Sequence, residues 1–321
     1  MAAFWKKGLR MGLGAGLLGA AVVALRHRSR QMPQPSLPDI ISPSIFARRV
    51  QRTTRGQIVY HASGEGDPIV FLHDFFPGAA SYEWSKIYPA FAATHRVLAP
   101  DWIGFGESER PDRILRPDDH AQSLHEFCRA TCGGRRPVIV ASGIGAALAC
   151  LAAAKHPEWP ARLFLFHPSG SERWLNGWVA PALRLAAWTR NGRRWLYAMH
   201  LSRPADIARW LESRRSDGPP LDLSEPVSVY ASFARQYGAA WAIQRMLSGR
   251  FQTEALPRLE EVCAPVQVWW PGTKETAAPQ EAGKDLRLLE GCGPLAPLDK
   301  PAALETRLRT ELFSPVRLAD V

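Results

Sequence analysis

Short runs of apolar and β-branched residues recur along the chain and predict the strands of a sheet. They cover residues 56–61, 68–72, 95–99, 137–141, 162–166, 265–270 and 284–289. Between most of these runs the apolar residues take helical spacing, as in residues 121–130 and 146–156. Strands and helices in alternation predict an α/β fold, in which helices cover both faces of a mostly parallel sheet.

The alternation stops between residues 171 and 256, where helical spacing continues and no strand is predicted. The pattern predicts an inserted helical lid whose Trp and Leu side chains pack on the sheet domain. Arginines outnumber acidic residues in this segment, and they form either a solvated helix face or a surface for anionic lipid headgroups. The segment is also rich in tryptophan, with Trp174, Trp178, Trp188, Trp195, Trp210 and Trp241.

Residues 1–30 form an apolar segment flanked by basic residues, with an uncharged run over residues 11–25. The run is shorter than the roughly 20 residues that cross a bilayer as a straight helix. Three interpretations stay open: a membrane anchor, a cleaved segment for organelle or export targeting, and an exposed amphipathic helix. Proline-rich residues 31–51 predict an extended linker, which leaves residues 52–321 for the globular domain.

A chain of 321 residues with 46% hydrophobic residues can bury a substantial core. Its net charge of +10 suits an acidic membrane surface better than nucleic acid, because no nucleic-acid-binding motif accompanies the charge. The five cysteines form no CxxC pair, so they predict free thiols in a reducing compartment and no metal site. No motif indicates a cofactor or an oligomeric state.

A tight turn of small residues lies at the centre of the predicted sheet. Residues 141–145 (Ala-Ser-Gly-Ile-Gly) follow the strand at 137–141 and precede an alanine-rich helix. Strand, small-residue turn and helix in this order are typical of a nucleophile elbow, in which the apex residue presents a nucleophilic side chain. The apex residue of this turn is Gly143, which has no side chain.

Five segments, in this order, resemble the motifs of the α/β-hydrolase fold superfamily, and the resemblance covers the chain from about residue 52 to its end. Residues 73–78 (His-Asp-Phe-Phe-Pro-Gly) resemble the family's oxyanion loop, and residues 101–108 match its Asp-x-x-Gly-x-Gly-x-Ser turn in full. Residues 141–145 correspond to the elbow. Residues 270–275 resemble the turn that carries the catalytic acid, and residues 293–301 resemble the segment that carries the catalytic histidine.

The resemblance implies the α/β-hydrolase fold with an inserted lid, and it implies a triad that is degenerate here. Gly143 takes the nucleophile position, Glu275 the acid position and Pro294 the histidine position. Glycine offers no nucleophile, and proline cannot take or relay a proton. Another alignment does not restore the base, because the last histidine of the chain is His200. The resemblance therefore predicts that the ordinary triad mechanism is lost.

The resemblance also assigns the oxyanion-loop and pocket residues. The family's oxyanion hole is formed by backbone N–H groups of the loop that contains His73, Asp74 and Phe75, and by the residue after the nucleophile, Ile144. Asp74 replaces a glycine there, so we expect its carboxylate to repel an oxyanion and to restrict the backbone.

Three further residues border the predicted site. Ser142 precedes the apex, and strand alternation predicts that its hydroxyl faces the interior. His167 follows the strand at 162–166 and is predicted to line the pocket. We expect Asp101 to tie down the neighbouring turn and Glu275 to have lost its histidine partner.

Three functions remain compatible with the sequence. The first is a membrane-associated protein of this fold without triad catalysis, which binds an apolar or lipid-like ligand or a protein partner. The second is an active hydrolase with a non-standard site, in which His167, Asp74 or Glu275 acts as acid or base. The third is a purely structural membrane scaffold.

Overall fold

The computed structural model describes residues 45–170, 188–248, 251, 253, 256–272 and 286–313 of the chain. The N-terminal segment 1–30, most of the predicted linker and the acid position Glu275 lie outside these residues. Among the helices of the described ranges, none has both the length and the apolar character needed to span a bilayer.

A single sheet of eight strands forms the centre of the domain. Its order is β1-β2-β4-β3-β5-β6-β7-β8, with β1 antiparallel to β2, β2 antiparallel to β4 and the remaining pairs parallel. The strands are β1 (Ala47–Thr53), β2 (Gly56–Ser63), β3 (Pro68–Leu72), β4 (Arg96–Pro100), β5 (Val138–Ser142), β6 (Arg162–Phe166), β7 (Val266–Gly272) and β8 (Leu286–Glu290). The mostly parallel α/β architecture predicted from the sequence is confirmed.

Helices follow the strands and cover both faces of the sheet. They are α1 (Pro117–Thr131), α2 (Gly143–Lys155), α3 (Arg190–Leu196), α4 (Pro204–Glu212), α5 (Ser224–Ala234), α6 (Ala239–Leu247), α7 (Ala296–Asp299) and α8 (Pro301–Phe313). Short 3-10 helices span Ser81–Trp84, Tyr88–Phe91 and Leu256–Glu261, and a π-helical turn spans Tyr197–Leu201. Within the described part of the predicted lid, residues 188–248 form helices α3 to α6 and no strand.

The first strand differs from the prediction, because β1 begins inside the predicted linker 31–51. Seven residue pairs join β1 to β2, from Ala47 opposite Ala62 to Thr53 opposite Gly56. The sequence of β1, Ala-Arg-Arg-Val-Gln-Arg-Thr, has no apolar run, since most of this edge strand is exposed. The ordered domain therefore starts before residue 52.

The buried side chains divide between the two faces of the sheet. Adjacent residues of β5 illustrate the alternation: Ile139 and Ala141 pack on one face, whereas Val140 packs on the other with Phe71 and Trp84. Helix α2 lies on the first face, and its residues from Gly143 to Ala153 are all buried. This alanine-rich helix can approach the sheet closely because its side chains are short.

The register of the parallel strands determines where the site forms. Leu72 at the end of β3 pairs with Ala141 of β5, and Ser142 at the end of β5 pairs with Phe166 of β6. The residues that follow these strands therefore meet at one edge of the sheet, at the carboxyl ends of the central strands.

Candidate functional site

The turn between β5 and α2 has the backbone of an elbow. Gly143 has φ +53, a left-handed conformation that is costly for residues with a Cβ. Gly145, two residues further, lies against the loop after β3, because a Cβ there would come within 2.4 Å of the carbonyl oxygen of His73. The two glycines thus allow a sharp turn and a close approach between helix and loop.

The carboxylate of Asp74 occupies the space next to Gly143. A Cβ atom at position 143 would lie 2.0 Å from both Cγ and Oδ1 of Asp74. The same Oδ1 accepts hydrogen bonds from the backbone N–H groups of Phe75 and Ile144, both at 2.7 Å. These are the two donors that the family resemblance assigns to an oxyanion hole. An acidic side chain of the protein therefore stands where a substrate oxyanion would bind.

A second buried carboxyl group, Glu83, lies behind Asp74. Its Oε2 accepts the backbone N–H of Asp74 at 2.7 Å, and its Oε1 is hydrogen-bonded to the hydroxyl of Ser142. Burial, and then the nearby charge of Asp74, raises the pKa of Glu83 to about 8. Burial also raises the pKa of Asp74, although its two backbone hydrogen bonds and the charge of Arg214 oppose that shift. The pKa of Glu83 therefore favours its protonated form at neutral pH, whereas Arg214 and the two backbone N–H donors favour the ionised form of Asp74 against the effect of burial.

Arg214, which follows α4, brings a positive charge towards this pair. Its guanidinium carbon lies 4.5 Å from the centre of the Trp210 ring, and its charge lowers the pKa of both carboxyl groups. No carboxylate oxygen of the described residues lies within the 4.0 Å of a direct ion pair with Arg214. The attraction is thus longer in range than a salt bridge.

The space left at the elbow is a cavity of about 20 Å³. Pro294 lines it together with Gly143, Asp74, Arg214 and His167. The residue at the histidine position of the family therefore does face the elbow, but it contributes a proline ring. Asp74, Glu83 and Arg214 contribute polar groups to a wall that is otherwise largely apolar, and the cavity has room for about one water molecule.

His73 and His167 differ in their contacts. The Nδ1–H of His73 donates to the carbonyl of Asp74 at 2.7 Å, and its Nε2 accepts the backbone N–H of Trp102 at 3.1 Å. Burial lowers the pKa of His73, so the ring is neutral and joins two loops. His167 is a non-glycine residue with positive φ, at +49, and its N–H donates to the carbonyl of Trp269. Its ring lies 5.1 Å from that of Trp270 at the cavity wall.

Asp101 stabilises the neighbouring turn. Its Oδ1 accepts the N–H of Ser81 at 2.6 Å and its Oδ2 the N–H of Glu107 at 2.7 Å. A Cβ on Gly106 would lie 2.1 Å from Oδ2, so the glycine of this turn is needed for space. The Asp-x-x-Gly-x-Gly-x-Ser motif therefore has a local structural cause.

Glu83 and Arg214 were missed by the sequence reasoning. Glu83 lies in a 3-10 helix outside the recognised motifs, and Arg214 is one of many arginines in the lid. The sequence did mark Asp74 as unusual, because an acidic residue follows His73 where the family has glycine. Nothing in the sequence pattern indicated that its side chain would reach the elbow.

The family model described as the alpha/beta hydrolase family matches residues 69–307, which is most of the chain. The chain belongs to the alpha/beta hydrolase family. The match includes the positions 74, 83, 143, 214 and 294 described above, so the altered site lies within the family's own domain.

Alpha/beta hydrolases with named activities resemble this chain over part of their length. The 2-hydroxymuconate semialdehyde hydrolase of Pseudomonas sp. (strain CF600) is 34% identical over 115 residues, which are 34% of this chain and 39% of that protein. A haloalkane dehalogenase of Mesorhizobium japonicum is 37% identical over 97 residues, 30% of each chain. The chain thus spans less than half the length of these relatives.

A solved structure resembles the chain over more of its length. A serine hydrolase involved in carbazole degradation superposes with a TM-score of 0.65 at 18% identity, covering 83% of this chain and 98% of that one. At this identity the superposition shows the shared fold.

A larger groove opens beside the elbow. Its volume is about 890 Å³, and it lies between the loop after β4, the start of α1 and the helices α3 and α6. Phe75, whose N–H binds Asp74, forms part of its wall. The residues that line it include Arg110, Arg113, Arg190, Arg193, Arg245, Asp112, Leu115, His120, Trp188, Trp241, Met246, Leu247 and Phe251.

One group of possible metal ligands lies within the described ranges, formed by His125, His156 and Glu158. The two imidazole rings are stacked, with centroids 3.6 Å apart and planes inclined by 9°. The nitrogen lone pairs of stacked rings lie in parallel planes, so both cannot point at one ion unless a ring turns. This geometry favours two stacked rings over a preformed metal site.

Proposed function

We propose that this protein binds an apolar or lipid-like ligand in the cleft between sheet and lid, and that it does not use triad catalysis. One observation carries the second part: the Asp74 carboxylate accepts both N–H groups of the oxyanion hole. A serine at position 143 would need the volume that this carboxylate fills. A substrate oxyanion would need the same two donors, and it would meet a negative charge instead.

The sizes of the two cavities support the binding part of the proposal. The elbow cavity of about 20 Å³ has no room for an acyl group, whereas the adjacent groove of about 890 Å³ lies in the range of small-molecule sites, about 300–1,000 Å³. The open groove also favours ligand binding over a purely structural role.

Labelling with a fluorophosphonate probe tests the loss of triad catalysis. The full-length protein is incubated with the probe beside an active serine hydrolase, and intact mass is measured. We expect the control enzyme to gain one probe per chain and this protein to remain unmodified. Stoichiometric labelling that disappears in Ser142→Ala would instead identify Ser142 as a nucleophile and overturn the proposal.

A second candidate is an active hydrolase in which Asp74 and Glu83 act as base and acid. The observation that favours it is two adjacent buried carboxyl groups in different hydrogen-bond environments, an arrangement that supports acid–base chemistry. Turnover of short acyl esters that is lost in Asp74→Asn, Glu83→Gln and His167→Ala would support this candidate. Turnover that all three variants retain would come from a contaminant or another site.

Membrane association through residues 1–30 is part of the same proposal. The basic residues at both ends of the uncharged run 11–25 support it. Flotation with phosphatidylglycerol vesicles should retain the full chain and should fail for a chain that lacks residues 1–30. Equal flotation of both chains would place the membrane contact elsewhere, for example on the arginines of the lid.

A further inference from the structure

We infer that the groove beside the elbow binds an anionic amphiphile, with the anionic head at its arginines and the apolar chain on its aromatic floor. This inference rests on the ligand-binding function proposed above and specifies the chemical class of the ligand. We call Arg110, Arg113, Arg190, Arg193 and Arg245 the arginine rim.

The described residues that line the groove carry more basic than acidic side chains. Among the described lining residues, the five arginines of the rim face a single acidic residue, Asp112. Arg110 is partly buried, and no carboxylate of the described chain lies within 4.0 Å of it. Its guanidinium donates a hydrogen bond to the carbonyl of Gly106, and its buried Nε has no hydrogen-bond partner among the described residues. A carboxylate or phosphate at the rim would supply the missing acceptor.

Burial lowers the pKa of the Arg110 guanidinium, which shows that the surroundings penalise its charge. Guanidinium groups remain protonated in proteins, so the cost of this desolvation stays in the folded chain. A bound anion offsets that cost, and the offset is larger where the ligand excludes water from the guanidinium.

The floor of the groove is apolar and aromatic. Phe75, His120 and Phe251 form a three-ring cluster with centroid distances of 5.3–5.8 Å, and each is at most 2% exposed. We call these three residues the aromatic floor. Burial lowers the pKa of His120 to about 4, so its ring is neutral in neutral solution.

The Nδ1 of His120 is buried and has no hydrogen-bond partner within the part of the chain that the structure describes. An unsatisfied buried ring nitrogen costs free energy, so it is a second group at this groove that a ligand could satisfy. Ligands with a polar atom close to the head, such as an ester or hydroxyl oxygen, would suit this position. Arg110 and His120 thus indicate a ligand independently, one by charge and one by an unmet hydrogen bond.

The entrance of the groove also exposes apolar surface. Trp188 is 83% exposed and Ile114 is 58% exposed, although both line the same groove. Large apolar side chains left in water beside cationic ones match a ligand with an apolar chain and an anionic head. A simple inorganic anion would leave this apolar surface uncovered.

Calorimetric titration of the full-length protein with decyl phosphate, butyl phosphate, decanol and inorganic phosphate tests the inference, each ligand being kept below its aggregation limit. Decyl phosphate should bind at least tenfold more tightly than butyl phosphate, because its longer alkyl chain buries more apolar surface in the groove. It should also bind at least tenfold more tightly than decanol. Raising sodium chloride from about 0.05 M to about 0.5 M should weaken the binding of decyl phosphate and leave the affinity for decanol unchanged.

Two variants locate the site. The double variant Arg110→Gln with Arg245→Gln should lower the affinity for decyl phosphate about tenfold or more, while the affinity for decanol stays the same. Arg129→Gln is the matched control, because Arg129 is an exposed arginine of α1 outside the groove. Circular dichroism and the decanol affinity show that the double variant is folded.

The outcomes separate the inference from the proposed function. If decanol and decyl phosphate bind equally, or if the double variant has no effect, the anionic preference is refuted while ligand binding stands. If neither decyl phosphate nor decanol binds, both the inference and the binding part of the proposed function fail. Vesicle flotation through residues 1–30 is a separate property and does not decide between these outcomes.

Discussion

Adding a single methyl group at the elbow tests whether Asp74 fills the place of the missing side chain. In Gly143→Ala the new Cβ would lie 2.0 Å from Cγ and Oδ1 of Asp74, far below a van der Waals contact. Asp74 cannot turn away without giving up its hydrogen bonds to Phe75 and Ile144. The substitution therefore carries a packing cost in addition to any backbone cost.

The backbone cost can be measured separately, because the chain offers a matched control. Gly133 has φ +62, close to the +53 of Gly143, and a Cβ there would meet nothing within 4 Å. Gly133→Ala should lower the free energy of unfolding by about 1–2 kcal/mol, the cost of a left-handed alanine. Gly143→Ala should lower it by about 1–3 kcal/mol more, the typical cost of overpacking.

A double-mutant cycle then assigns the extra cost to Asp74. Unfolding by urea is followed for Gly143→Ala, Asp74→Gly and the two combined. In the Asp74→Gly background, Gly143→Ala should cost no more than Gly133→Ala does in the original chain, which gives a coupling of about 1–3 kcal/mol. A clash with Asp74 is refuted if the changes in unfolding free energy caused by Gly143→Ala and Asp74→Gly are additive. It is also refuted if Gly143→Ala lowers the free energy of unfolding no more than Gly133→Ala does.

Three further predictions concern the pair, the repair of the site and the thiols. Between about pH 4.5 and 8, Glu83 holds a proton that the unfolded chain has lost, so the free energy of unfolding should fall as pH rises. Urea unfolding at several pH values measures this dependence. The free energy of unfolding should change less with pH in Glu83→Gln than in the original chain. Gly143→Ser with Pro294→His should stay unreactive towards fluorophosphonate by intact mass, and adding Asp74→Gly should restore labelling. Cys263, the exposed thiol among five free cysteines, should react first with a disulfide reagent, and Cys263→Ser should abolish this fast phase.

The sequence predicted the sheet well because its central strands are buried on both faces. The strands at 68–72 and 162–166 agree with the structure at both ends, because each is a short, mostly apolar run that ends at a histidine. β1 was missed for the opposite reason. It is an arginine-rich edge strand held by its backbone pairing with β2, and such a strand leaves no apolar pattern.

The sequence predicted which residues lie at the candidate site, but it did not predict the contacts between their side chains. Motif spacing placed Asp74, Gly143 and Pro294 at one edge of the sheet, because the register of parallel strands is regular. The contact between the Asp74 carboxylate and the N–H of Ile144 joins residues 70 apart in sequence. Such a contact depends on how far a loop folds over, which no local pattern encodes. Glu83 and Arg214 were missed for the same reason.

The shared volume at the elbow also limits how this chain could change over generations. A serine at position 143 and the aspartate at position 74 compete for the same volume, so a chain that gained the serine alone would carry a packing cost. Replacement of Asp74 alone would remove the clash but would supply no nucleophile. Under the function proposed above, neither change by itself brings a catalytic benefit, so a serine nucleophile at this elbow would need both.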